Sequence, residues 1–239
     1  MDIRAVLFDL DNTLFDHAAS ARAGLDAFLQ HLETPQDDEL ALVWFQLEQA
    51  SYARFLAKEL SFQEQRRERL RQFLPLAGLE VPTTDRMLDE LFDVYLQTYE
   101  AGWAAFPDTV PALQSLRDGG LTVGVITNGN HRQQTLKISK IGLAPLIDRI
   151  FSSESTGHPK PLPEAFLQPC RSLGISPANA LYVGDNFRVD VEGARNAGLP
   201  AIHLKRDGGG PAGTIQSLAD LVPLLGAGTG AANDSITLV

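Results

Sequence analysis

The stretch Val6-Leu7-Phe8-Asp9-Leu10-Asp11-Asn12-Thr13-Leu14-Phe15-Asp16 decides how this chain folds. A run of β-formers from Ile3 to Phe8 stops at two carboxylates, Asp9 and Asp11, and then at Asn12 and Thr13, which favour turns and caps. This is a strand that delivers acid at its C-terminal end. Open α/β sheets bind their ligands in the crevice outside such ends. Alternation turns Leu10 away and returns Asp11 to the side of Asp9 if the backbone stays extended. Like charges held so close repel, so one carboxylate takes a proton or a cation settles between them. A hard ion such as Mg²⁺ suits paired carboxylates with no cysteine or histidine beside them. One carboxylate can then attack as a nucleophile while the other moves protons. The same residues also read as a plain polar turn, so their partners downstream must decide.

With 239 residues, 44% hydrophobic and 21% charged, the chain has the composition of a globular protein, either one large domain or a core carrying a smaller one. The formal net charge of -10 argues against nucleic acid or an anionic membrane as the main partner. An anionic small substrate stays open, because a metal and a few basic side chains can reverse the potential inside one pocket. The single cysteine, Cys170, rules out an intrachain disulfide and suits a reducing cytosol. The first residues show no signal-peptide pattern and no apolar run is long enough to span a bilayer, so the expected location is the cytoplasm. Oligomeric state is not legible.

Residues 16–101 carry helical patterning alone. Phe28, Leu29 and Leu32 close a first helix, and Leu40, Val43, Trp44 and Leu47 open a second. Ser61 and Glu64 form a capping box for a third, which Pro75 should end, and Thr84 caps a fourth whose buried side holds Leu88, Leu91, Phe92 and Tyr95. From Phe106 strands alternate with helices, the pattern of parallel βαβ units. Strands are expected at Leu121 to Ile126, Ile147 to Phe151, Ala180 to Val183 and Pro200 to Leu204. A loop is expected over Ser153 to Pro163, and helices over Val189 to Ala197 and Ile215 to Leu225. The core is therefore split, 1–15 with 102–225, around a helical insertion, and 226–239 reads as a flexible tail.

Other chemistry-bearing residues fall just beyond strand ends or in loops able to reach them. Thr127-Asn128-Gly129-Asn130 follows the second strand and offers a hydroxyl, an amide and backbone N–H groups for a phosphate oxygen. Lys160 stands between two prolines that stiffen its loop. Gly184-Asp185-Asn186 ends the fourth strand, and Asp190 lies one helical step on, placed to orient Lys160 or a metal-bound water. Each alone reads as an ordinary turn or surface charge; the four stations together do not.

In this order the motifs resemble the haloacid dehalogenase-like superfamily over about residues 1 to 205, and in particular its phosphatases with a helical cap inserted after the first motif. Asp9-Leu10-Asp11-Asn12-Thr13 matches the first motif, Thr127 the second, Lys160-Pro161 the third, and Gly184-Asp185 with Asp190 the fourth. The resemblance implies an α/β fold, a Rossmann-like parallel five-stranded sheet core with an inserted helical-bundle cap. It implies that Asp9 takes the phosphoryl group and that Asp11 is acid toward the leaving alcohol and then base toward water. Thr127, Asn128 and Lys160 would hold the phosphoryl group, and Asp9, the Asp11 backbone carbonyl and Asp185 would ligate Mg²⁺. The partner would be a small phosphorylated metabolite. Asp11 disfavours a dehalogenase; a phosphomutase or a non-enzymatic binding module stays as an alternative. The Thr127-Asn128-Gly129 sequence and the layout are most similar to nucleotide monophosphatases and acylneuraminate phosphatases, with phosphoglycolate phosphatases ranked after them. Within the insertion, His17, Arg22, Arg54, Lys58, Arg66 and Arg67 could meet a leaving group, although each also reads as part of a solvated helix face.

Overall fold

The computed structural model describes residues 2–226. The chain divides into two compact units, one made of the residues up to Asp16 together with those from Ala104 on, the other of His17–Trp103. The first unit holds five parallel strands, β1 (Ala5–Phe8), β2 (Thr122–Thr127), β3 (Arg149–Ser152), β4 (Ala180–Gly184) and β5 (Ala201–His203), in the order β3-β2-β1-β4-β5. All residues of the central β1 are buried, which is why it reads as a continuous apolar run rather than as an alternation. The strand order reverses at β1, and this is the crevice where a doubly wound sheet binds ligands. Phe8 pairs with Val125 on one side and Val183 on the other. One residue further, Asp9 stands level with Ile126 and Gly184, and its N–H donates to the Val183 carbonyl at 2.9 Å. The ladder register thus brings Asp9, Thr127 and Asp185 to one edge. Below that edge Leu7, Ile126, Phe166, Tyr182 and Val191 form part of one apolar cluster.

The second unit consists of α1 (His17–His31), α2 (Asp38–Leu56), α3 (Phe62–Leu76) and α4 (Asp85–Ala101). Ser61 and Glu64 make both bonds of the capping box, and Thr84 accepts from the Met87 N–H. Trp44 fills the centre, edge-on to Phe73 and Tyr95 with ring centroids 4.9 and 4.8 Å away. Gly24 lets α1 approach α4 closely, since a Cβ there would stand 2.8 Å from the Tyr99 Cα. Arg22 pairs with Asp26 and Asp38, Arg54 with Glu59 and Glu68, and Arg67 with Asp85 and Asp89, so for these three the solvated-face reading has its partners inside the unit. His17 meets the Tyr99 hydroxyl at 2.9 Å, Arg66 lies over the Phe62 ring, and Lys58 is exposed in the left-handed region at φ 63°.

Several elements depart from the sequence reading. Pro75 sits inside the last turn of α3, where its missing N–H costs a single bond before the helix ends at Leu76. The loop expected from Ser153 contains a helical turn, Ser153–Thr156, because Ser152 and Ser155 form their own reciprocal cap. The helix expected from Val189 is instead a π-helical turn, Phe187–Glu192, continued by a short α-helix, Gly193–Asn196. Ile215 is not helical but adds a parallel bridge beside Leu204, its N–H donating to the His203 carbonyl. A β-branched apolar residue at a sheet edge gains burial there, and the helical turns begin only after Ser217 caps them. The tail expected over 226–239 lies, but for Gly226, outside the described residues. No helix among the described residues is long and apolar enough to cross a membrane.

Candidate active site

Asp9 leaves the central strand with its carboxylate pointing at Lys160, whose Nζ donates to Asp9 Oδ1 at 2.5 Å. The same Nζ donates to Asp190 Oδ1 at 2.7 Å and to the Tyr182 hydroxyl at 2.9 Å, and the lysine is buried. A buried ammonium is tolerated because three oxygens take its three N–H bonds. Asn128 fixes the lysine's backbone: its amide accepts from the Lys160 N–H at 2.8 Å and donates to the Lys160 carbonyl at 3.0 Å. Asp190 Oδ2 in turn accepts from the Asn186 N–H at 3.0 Å. The π-helical turn carries Asp190 so close to the strand end that only glycine fits opposite it, since a Cβ on Gly184 would lie 2.5 Å from the Asp190 Cγ. The step from Gly184-Asp185 to Asp190 thus orients Lys160.

Asp11 reaches the same edge by another route than the strand alternation expected of it. The chain turns tightly after Asp9, with the N–H groups of Leu14 and Phe15 both donating to the Leu10 carbonyl and Asn12 at φ 61°. The Asp11 carboxylate is then held from the helix His131–Lys140: Lys137 Nζ donates to Oδ1 at 2.5 Å and Gln134 Nε2 to Oδ2 at 3.1 Å. Gln134 Nε2 also lies 2.8 Å from Thr127 Oγ1, and Thr13 Oγ1 donates to Asp9 Oδ2 at 3.3 Å. Arg206 ties the loop from below, donating to the Thr13 carbonyl and to Asp108.

Carboxylate oxygens of Asp9, Asp185 and Asp190 lie within 4.8 Å of one another. Three carboxylates facing one ammonium are over-supplied with negative charge, and the pKa values of Asp9 and Asp185 show it. Burial, then Asp190 and Asp185 against the opposing Lys160, raises Asp9 well above the usual carboxylate range. Burial and then Asp190 push Asp185 up to about 6. Burial works against the charge of Lys160, but Asp190 and Asp9 outweigh it and hold the lysine above its ordinary value. An all-oxygen cluster of this kind fits a hard divalent cation. Both Asp190 oxygens are held at 3.0 Å or less, by Lys160 and the Asn186 N–H, and Lys160 holds Asp9 Oδ1; Asp185 and the more weakly held Asp9 Oδ2, 3.3 Å from Thr13 Oγ1, are the better placed to face a cation.

The structure therefore brings together Asp9, Thr127, Asn128, Lys160, Asp185 and Asp190, with Asp11 held beside them. Sequence reasoning missed Gln134, Lys137 and Tyr182. A lysine in the last turn of a helix is ordinary for the helix dipole, and a tyrosine inside a strand is ordinary core. Cys170, buried with its thiol pushed up to about 11 by burial, takes no part in the site.

A family model described as haloacid dehalogenase-like hydrolase matches residues 3–198. The phosphoglycolate phosphatase of Shigella boydii serotype 4 (strain Sb227) is 31% identical over 240 residues, covering 94% of this chain and 93% of its own. The glyceraldehyde 3-phosphate phosphatase of Methanopyrus kandleri is 29% identical over 208 residues, covering 85% of this chain and 84% of its own. The HAD-hydrolase YfnB of Bacillus subtilis, solved bound to magnesium, shares the fold with a TM-score of 0.82 at 24% identity, covering 95% of this chain and 100% of its own. The chain is a member of the haloacid dehalogenase-like hydrolase family, and its curated relatives place it among that family's phosphatases.

Proposed function

We propose that this hydrolase is a Mg²⁺-dependent phosphomonoesterase that acts on a small phosphorylated metabolite through an aspartyl-phosphate on Asp9. The observation that carries the reading is Lys160 Nζ 2.5 Å from Asp9 Oδ1 at the end of the central strand. A carboxylate nucleophile must approach an anionic phosphoryl group, and a buried cation that contacts both removes the repulsion. Asp9 attacks phosphorus and the ester oxygen departs with a proton from the Asp11 carboxyl. Water then attacks the phosphorus of the aspartyl-phosphate, gives a proton to Asp11, and releases inorganic phosphate while Asp9 is restored. Thr127 and Lys160 hold the phosphoryl oxygens, and Asn128 serves them through its grip on the Lys160 backbone. Asp9, Asp185 and the Asp11 carbonyl would hold Mg²⁺, which when bound neutralises charge on the transferring group.

With the core side chains assigned to the phosphoryl group, choice among leaving groups falls to the helical unit, acting as a cap. The relatives named above direct attention to phosphoglycolate and glyceraldehyde 3-phosphate. The lone buried thiol fits a cytoplasmic location. Phosphate release should be measured from 2-phosphoglycolate, glyceraldehyde 3-phosphate, sugar phosphates, nucleoside monophosphates and an acylneuraminate phosphate, with Mg²⁺ or with chelator, beside Asp9→Asn. Selective Mg²⁺-dependent release that Asp9→Asn abolishes supports the reading; equal release by that variant refutes it.

A further inference from the structure

Asp11 is the only one of the chemistry-bearing residues in the opening motif whose two carboxylate oxygens are both gripped by a neighbouring helix. Lys137 takes Oδ1 at 2.5 Å and Gln134 takes Oδ2 at 3.1 Å, and the two lie three residues apart on one face of His131–Lys140. The lysine is buried, with its Nζ also 4.5 Å from the centroid of the Phe15 ring, three residues beyond Asn12 in the same loop. A lysine placed there for solubility would reach solvent; this one lies inside with a carboxylate and an aromatic face for its surroundings. Gln134 is buried as well, and its Nε2 joins Asp11 to Thr127 Oγ1. The helix that starts just beyond the Thr127 strand end therefore sets where the Asp11 carboxyl sits relative to the phosphoryl site.

We propose that Lys137, assisted by Gln134, is a positioning residue of the phosphoryl-transfer site: it holds the Asp11 carboxyl in the orientation from which the leaving oxygen is protonated. This rests on the phosphatase reading and adds to it a requirement on how the proton donor is aimed. An acid displaced by an ångström loses most of its advantage, because proton transfer needs hydrogen-bond reach to the departing oxygen. In this role the residue acts through Asp11, the carboxyl its Nζ holds.

The role is separable from simple stability by the leaving group. An alkyl alkoxide must be protonated as it leaves, whereas p-nitrophenolate leaves without a proton at neutral pH. kcat/KM should be measured on 2-phosphoglycolate and p-nitrophenyl phosphate for wild type, Lys137→Met, Lys137→Arg and Gln134→Ala. The ratio of the two values within one preparation is independent of the folded fraction. Lys137→Met is expected to lower the alkyl-to-aryl ratio by at least about tenfold, Gln134→Ala by less, and Lys137→Arg, which keeps a donor to Oδ1, to restore most of it. An unchanged ratio in Lys137→Met, or equal losses on both esters, overturns the proposal. If Lys137→Met does not fold, the same ratio in Gln134→Ala decides, and no change there overturns it. If wild type leaves 2-phosphoglycolate intact, the best-cleaved alkyl ester of the panel above takes its place in the ratio, and cleavage of the aryl ester alone among all of them overturns the proposal too. Wild type inactive on both, as Asp9→Asn would be, overturns the phosphatase reading itself.

Discussion

Gly184 shows how little room the site leaves at a single residue. A Cβ there would meet the Asp190 Cβ, Cγ and Oδ2 at 2.5 to 2.6 Å, so Gly184→Ala must push the carboxylate off Lys160. The variant is expected to lose about 1–3 kcal/mol to overpacking, read as a lower urea midpoint, and to lose phosphate release beyond that, because Lys160 then loses one of its two carboxylate partners. Wild-type activity in a folded Gly184→Ala would contradict the orienting role of Asp190. Asp9, Lys160, Asp185 and Asp190, which the structure brings together, stood out in the sequence through their order at successive strand ends and loops, since each alone reads as an ordinary turn or surface charge. Lys137, Gln134 and Tyr182 were not, because nothing in their residue type separates them from ordinary helix and strand positions. Asn128 was legible as a site residue, but its grip on the Lys160 backbone depends on how two distant loops meet.

Among the elements, α2 and α3 are joined by a charge pair whose pH dependence can be read. Arg69 NH1 lies 2.9 Å from Glu48 Oε1, and the guanidinium is buried against the Trp44 ring at 5.0 Å. Burial favours the neutral acid, but Arg69 and His17 prevail and hold Glu48 down at about 2. A carboxyl depressed in the folded state contributes stability that is present above its unfolded value near 4.5 and is lost as pH falls through about 2. Glu48→Gln should therefore melt well below wild type at neutral pH, with the gap closing as pH drops from about 4.5 toward 2; a gap independent of pH would contradict the pairing. The helices themselves were legible where local chemistry decides, as at the Ser61 to Glu64 cap. They were not legible where tertiary contact decides: the π-helical turn exists to bring Asp190 to Gly184, and Ile215 joins the sheet through a partner eleven residues away, Leu204. Pro75 misled because a proline in the final turn breaks so little.

For the whole molecule, the split core follows from β1 being central: the strand that carries Asp9 comes before the helical unit in sequence, while both of its sheet partners come after it. That order was legible from the patterning alone, since the helical stretch interrupts a strand series that resumes past Phe106. A cation that relieves the repulsion among Asp9, Asp185 and Asp190 should stabilise the folded chain. Saturating Mg²⁺ is expected to raise the melting temperature, by an amount set by about 2.7 kcal/mol at a hundredfold excess over Kd, and Asp185→Asn to abolish the rise while leaving the metal-free protein as stable or more so. No Mg²⁺ shift in wild type would contradict the metal site. The most direct measurement is of the covalent intermediate: acid-quenched turnover with Mg²⁺, followed by peptide mapping for a hydroxylamine-labile phosphate, with 2-phosphoglycolate in wild type and with p-nitrophenyl phosphate in Asp11→Asn, where the leaving group needs no acid and the second half-reaction lacks its base. Phosphate on Asp9, and on no other residue, is the result expected; turnover without it, or turnover that survives Asp9→Asn, would contradict an aspartyl-phosphate mechanism.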